Sequence, residues 1–135
     1  MLVLDTSAAS AVMHGMNTAV VRLRTERPQD VILLSPVAAE IRFGLGRLAR
    51  GSRRRRLLEA EYARLRAVIR FEEWSEAAAE EFGRQKARLS RTGMIIEDFD
   101  IAIGSAAVVL GARLATLNAA HMARLQGLAI EDWAS

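Results

Sequence analysis

Asp5, Glu40 and Asp100 stand out because each is set among apolar neighbours: Leu4 beside Asp5, Ala39 and Ile41 around Glu40, Phe99 and Ile101 around Asp100. A carboxylate in such surroundings needs a partner, and close by in sequence only Arg42 is a cation. Three carboxylates brought together repel one another and cannot all stay ionised without a positive charge. A hard divalent ion, Mg²⁺ or Mn²⁺, relieves that repulsion and retains water molecules for chemistry. Such an ion polarises a phosphoryl oxygen and lowers the pKa of an attacking water. The same residue types also suit helix caps and surface ion pairs. With 16 acids in the chain, spacing alone does not choose between these uses.

The elements that must carry these acids can be read from the pattern. The apolar run Leu2–Leu4 is a short strand that ends in the turn and cap cluster Asp5-Thr6-Ser7. Helical stretches are expected from about Ala8 to Met13 and from Asn17 to Arg24, followed by a buried strand at Val31–Leu34. Ser35-Pro36 reads as an N-cap with proline in the first turn. Val37, Ile41, Leu45 and Leu48 then recur at helical spacing up to Gly51. Gly51-Ser52 breaks a helical hairpin whose second arm would bury Leu57, Leu58, Tyr62, Leu65 and Ile69. A weak strand at Arg70–Glu72 precedes a helix opened by Ser75 and running to about Leu89. After a turn at Thr92-Gly93 and the segment Met94–Ile96, a helix spans Asp98–Leu110 and stops at a C-cap glycine, Gly111. A strand at Arg113–Thr116, a short helix around Ala119–Leu125 and an edge strand at Leu128–Ile130 complete the chain. Alternating strands and helices predict one α/β domain over residues 1–135, a parallel sheet flanked by α-helices. Ligands of such sheets collect beyond the carboxyl ends of the strands. Asp5, Glu40 and Asp100 are all expected at that edge if the first two strands are neighbours.

Composition narrows the classes. The 135 residues are 51% hydrophobic and 26% charged, within the range of one globular domain. Without cysteine the chain cannot use disulfides, thiolate zinc sites, iron–sulfur clusters or a cysteine nucleophile. The net charge of +3 permits a nucleic-acid partner without requiring one. Neither a signal peptide nor a membrane span is visible, so a soluble cytoplasmic protein without a membrane partner is expected.

Three segments carry a specific likeness: Val3-Leu4-Asp5-Thr6-Ser7, Ser35 to Gly44 around Glu40, and Ile96 to Ile103 around Asp100. In order and spacing they resemble PIN-domain ribonucleases, most nearly the VapC-type toxins (FitB-like branch) of bacterial toxin–antitoxin pairs. The likeness covers nearly the whole chain, including the ending from Gly127-Leu128 to Glu131-Asp132-Trp133. It implies a PIN-like fold, with Asp5, Glu40 and Asp100 as catalytic acids holding Mg²⁺ and Thr6 as the hydroxyl after the first acid. It implies an endoribonuclease acting on RNA, a homodimer, a cognate antitoxin that blocks the acidic groove, and operator DNA reached only through that antitoxin. Family members commonly carry a further acid in a Thr-x-Asn-x-x-acid pattern. Thr116 and Asn118 are present here, but His121 stands in the acid's place. His121 is then either a ligand itself or a loop histidine beside a three-acid site. Asn118 can orient a carboxylate or a phosphate. Asp98 suits either the surroundings of the site or the helix N-terminus, and Glu97 is expected to cap.

Other signals carry less. Gly44-Leu45-Gly46-Arg47-Leu48-Ala49 fits a dinucleotide pattern but does not follow a strand, so close helix packing accounts better for its glycines. Arg53-Arg54-Arg55-Arg56 lies at a helix start, where cations oppose the dipole. The run is either a solvated face or a contact for RNA phosphates or an acidic partner. The function class that competes with the nuclease is a catalytically decayed PIN-like binding module, acting through its antitoxin partner on operator DNA. The replacement of an acid by His121 is the feature that keeps it open.

Overall fold

A computed structural model describes residues 1–135. The strands are β1 (Leu2–Leu4), β2 (Val31–Leu34), β3 (Arg70–Glu72), β4 (Arg113–Thr116) and β5 (Ala129–Asp132). The helices are α1 (Thr6–Met13), α2 (Asn17–Arg24), α3 (Ser35–Gly46), α4 (Arg53–Val68), α5 (Glu76–Arg91), α6 (Asp98–Leu110) and α7 (Ala119–Met122). All strand pairs are parallel, in the order β3-β2-β1-β4-β5. β1 and β2 are buried along their whole length, as expected of central parallel strands covered on both faces. α1 packs on α2, α3 and α4, while α5 packs on α6. Right-handed crossovers put these two groups on opposite faces of the sheet.

The chain builds outward from β1 in one direction through β2 and β3, then returns to add β4 and β5 on the other side. The order therefore reverses between β1 and β4, and sheets of this kind place the crevice that takes ligands at such a reversal, beyond the carboxyl ends. β1 delivers Asp5 to that point and β4 delivers Thr116 and Asn118.

Local expectations fail at several places for physical reasons. Ser35 is not a cap: Leu34 holds that position, and the Ser35 hydroxyl accepts the Trp74 N–H at 3.1 Å, tying α3 to the segment after β3. α3 ends at Gly46, short of Gly51. A Cβ at Gly44 or Gly46 would meet nothing within 4 Å, so helix packing does not account for those glycines. On α4, Tyr62 and Leu65 are buried, but Leu57 is 55% exposed. Gly51, in contrast, turns with φ +71°, and Ser52 caps α4 by accepting the Arg55 N–H at 3.1 Å. Gly111 closes α6 at φ 64°. No helix is long and apolar enough to cross a membrane.

Candidate active site at the β1–β4 crevice

Asp5 is 4% exposed and does structural work first. As the N-cap of α1, its Oδ1 accepts the Ala8 N–H at 2.9 Å and the Ser7 hydroxyl at 2.6 Å. Ser7 Oγ in turn accepts the Leu117 N–H at 2.9 Å, joining the end of β1 to the turn after β4. Thr116, wholly buried, accepts the Asn118 N–H at 3.0 Å and shapes the same turn. Sequence reasoning passed over Ser7, whose only signal was a hydroxyl two residues after a cap aspartate.

Thr6 opens α1 and its hydroxyl donates to Glu40 Oε1, which projects from α3. The pair locks the second acid beside the residue that follows the first. Arg42, the one cation near Glu40 in sequence, turns away and lies over the Tyr62 ring at 5.3 Å. Asp100 is in the first turn of α6, and its Oδ2 stands 3.3 Å from His121 Nε2. Burial pushes the Asp100 carboxyl above its ordinary value of 3.8. The His121 ring opposes that rise, while the carboxylates of Asp5 and Glu97 add to it. Asp5 and Asp100 therefore repel each other across the crevice.

The remaining expected residues take different places. Asp98 is well exposed and pairs with Lys86 of α5 at 2.8 Å. Glu97 occupies the N-cap position of α6 but makes no capping hydrogen bond, which corrects the expectation of a capping side chain. Asn118 is exposed at the N-cap of α7 with no side-chain bond. Arg55 donates to the Leu48 carbonyl at 3.2 Å and faces Glu59 at 3.6 Å, and Arg56 donates to the Gly51 carbonyl. Those two hold the hairpin turn, while Arg53 and Arg54 border a cleft with Met13, His14 and Leu57.

The donors at the crevice are hard oxygens, three carboxylates and a threonine hydroxyl, which suit Mg²⁺ or Mn²⁺ in kind. In arrangement they form two pairs, Thr6–Glu40 and His121–Asp100, with Asp5 held by α1. No three Asp, Glu or His side chains stand together closely enough to hold one ion.

The strand order reverses at the central strand, and Asp5 after β1, Glu40 on α3 and Asp100 on α6 lie toward the carboxyl-end side of that reversal. The family model described as "PIN domain" matches residues 2–128. The chain belongs to the PIN-domain family. PIN domains are generally nucleases. Comparison with curated proteins gives no match. Among solved structures, this PIN domain is similar to VapBC2 from Rickettsia felis bound to a fragment of its promoter DNA, at TM-score 0.87 and 20% identity over 98% of each chain. It is similar to DNA-bound VapBC from Salmonella typhimurium at TM-score 0.84 and 21% identity, over 98% of this chain and 97% of that one. It is also similar to FitAcB from Neisseria gonorrhoeae at TM-score 0.82 and 20% identity over 98% of each chain. At these identities the likeness is one of fold.

Proposed function

We propose that this PIN domain is a Mg²⁺-dependent endoribonuclease and the toxin of a toxin–antitoxin pair. The observation that carries the reading is the placement of Asp5, Glu40 and Asp100 beyond the carboxyl ends of the central strands, where ligands of such sheets bind, with the Asp100 carboxyl raised above its usual range first by burial and further by Asp5. Similar chains are parts of VapBC and FitAB complexes, which supports an antitoxin as partner. Some of those complexes are bound to promoter DNA, which supports operator DNA reached through that antitoxin.

In this reading Asp5, Glu40 and Asp100 would hold Mg²⁺ or Mn²⁺. The ion would supply polarisation of the scissile phosphoryl oxygen and a lowered pKa for the attacking water. The chain's own side chains do the positioning. Thr6 Oγ1 fixes one Glu40 oxygen, Ser7 Oγ fixes Asp5 Oδ1, and the His121 ring orients Asp100 Oδ2. Asn118, free of side-chain bonds beside them, is available to a phosphate oxygen or carboxylate. Arg53 and Arg54 are assigned to RNA or to the antitoxin. Asp98 stays with Lys86 and plays no part in the chemistry.

A homodimer is part of the same reading. Phe43, 67% exposed, and the exposed Phe99 line a cleft of about 660 Å³ together with Glu40 and Ile96, and Met94 and Ile95, the latter 85% exposed, immediately precede Ile96 in the chain. Single chains rarely leave such a patch open to water. The place of action is assigned to the cytoplasm.

One observation favours a second reading, a decayed PIN-like module that works through its partner. His121 occupies the usual fourth-acid place, and no three acidic or imidazole groups stand together. The deciding experiment is cleavage of a mixed RNA pool with Mg²⁺ by wild type and Asp100→Asn. Cleavage by wild type alone, stopped by EDTA, supports the nuclease. Equal residual cleavage by both points to contamination and moves the binding module ahead.

A further inference from the structure

α5 divides by charge: Glu76, Glu80 and Glu81 lie in its first half, and Arg84, Lys86, Arg88 and Arg91 in its second. The helix dipole accounts for that order. It does not account for three of the cations sharing one face. Arg84, Arg88 and Arg91 are four and three residues apart, so they rise about 6 and 4.5 Å along one side of the helix.

Together with Glu81, Gln85 and Gln126 they line a cleft of about 320 Å³ that contains a single apolar residue. Glu81 is buried and satisfied within the wall, held by Arg84 and by Gln85 Nε2 at 2.7 Å. Arg88 and Arg91 have no acidic partner, and Arg88 Nε is a buried donor with no acceptor at all. Arg88 Nη2 is held by the Arg124 carbonyl and Gln85 Oε1, so the charge of its guanidinium, like that of Arg91, meets no carboxylate along the cleft, and a guanidinium presents a fork matched to phosphate. The cleft adjoins the segment that leads to the acids. Arg88 Nη2 donates to the Arg124 carbonyl, and one turn before Arg124 the His121 ring meets Asp100.

We propose that Arg84, Arg88 and Arg91 form a seat for the phosphodiester backbone of a single-stranded RNA, lying along α5 and leading to the carboxylate edge. The seat rests on the nuclease reading for the identity of its polyanion and not for its existence. Aromatic side chains are absent from the cleft wall, so the contact is with backbone and not with bases.

The test is fluorescence anisotropy with a labelled single-stranded RNA of about 12 nucleotides, in EDTA so that no cleavage intervenes. Wild type is compared with Arg88→Gln/Arg91→Gln, with Arg91→Gln alone, and with Arg24→Gln/Arg27→Gln, a control of equal charge loss away from the seat. Arg91 is exposed and makes no hydrogen bond or ion pair, so its single variant keeps the fold even where loss of the Arg88 bond does not. The double variant should weaken binding about tenfold at about 50 mM salt and lower the slope of log Kd on log salt by about 1.4. Arg91→Gln should give about half that slope change, and the control should change neither. Wild-type affinity and slope in the α5 variants, or an equal loss in the control, overturns the seat. Displacement of the RNA by polyglutamate at equal charge concentration also overturns it, by marking the stripe as the seat of an acidic protein segment. If Mg²⁺-dependent cleavage fails while the α5 variants still lose RNA, the nuclease reading falls and the seat stands. If cleavage holds while they bind normally, the seat falls alone.

Discussion

Asp5 and Asp100 should respond to neutralisation with opposite signs in stability while both lose cleavage. Asp5→Ala removes the acceptor of both the Ala8 N–H and the Ser7 hydroxyl at a site 4% exposed. Loss of an N-cap costs about 1 kcal/mol. Leaving a buried donor unpaired adds about 1–2 kcal/mol, and relief of the repulsion with Asp100 returns part of that. A net loss of about 1–3 kcal/mol corresponds, for a chain of 135 residues, to a Tm lower by about 3–10 °C. Asp100→Asn keeps an oxygen able to face His121 and deletes a charge that burial makes costly, so its Tm at neutral pH should equal or exceed that of wild type. The pH dependence fixes the sign. A carboxyl whose folded pKa is raised binds its proton more tightly in the folded state, so its favourable contribution is full below the ordinary value of 3.8 and is lost as pH rises through the raised value. The advantage of Asp100→Asn over wild type should therefore be smallest near pH 3, grow as pH rises through the folded pKa, and then stay flat. Thermal melts of both proteins across that range measure it. An Asp100→Asn protein less stable than wild type at neutral pH, or a gap that does not change with pH, would refute the reasoning and mark Asp100 as a structural acid.

Gly104 lies where α6 meets the turn after β4: a Cβ there would fall 2.3 Å from Leu125 Cδ1, with Met122 Cε at 3.4 Å and Leu128 Cδ2 at 3.5 Å behind it. Gly104→Ala should therefore destabilise by about 1–3 kcal/mol, read by denaturant melts, whereas helix propensity alone would stabilise by about 1 kcal/mol. His121→Asp puts a second carboxylate beside Asp100. Without metal it should melt below wild type, and Mg²⁺ should raise its Tm by more than it raises that of wild type. A smaller Mg²⁺ shift in the variant would show that the imidazole itself is needed. Ile95→Arg should turn a dimer into a monomer in light scattering with little change in Tm, since Ile95 is 85% exposed in the single chain. Persistence of the dimer would place its interface elsewhere.

What the residue order revealed follows the range of the interactions involved. α2 and the strands β1, β2, β3 and β4 were legible to the residue because each is an uninterrupted run bounded by turn chemistry, such as Asp5-Thr6-Ser7 or Gly111. The three candidate acids stand out because each is an acid inside apolar sequence. Ser35 deceived because a serine before proline is a good cap locally, and only the distant Trp74 N–H decides that its hydroxyl faces sideways. Leu57 deceived because helical period tells which residues share a face and not how wide the covering surface is. The Ser7–Leu117 bond and the His121–Asp100 pair join residues 110 and 21 positions apart, so neither leaves a local trace.

The two outer acids of the crevice are held on different terms, and that difference bears on mechanism. Asp5 is satisfied by the fold: a helix N-terminus and a hydroxyl compensate its charge with or without a ligand. Asp100 is not: burial and the neighbouring Asp5 work against its ionisation, and a single imidazole contact opposes them. A ligand that carries positive charge therefore gains most at Asp100. Binding at the crevice should draw Asp100 away from His121, while Asp5, fixed by α1, stays where it is. On the proposed reading, the His121–Asp100 contact would hold the place of the cation until it binds. Histidine at that position in place of a further acid lowers the repulsion the empty crevice must tolerate. It also removes one oxygen from the donors available when the crevice is filled. A weaker affinity for divalent ions, together with a more stable ligand-free fold, is the expected consequence of that exchange.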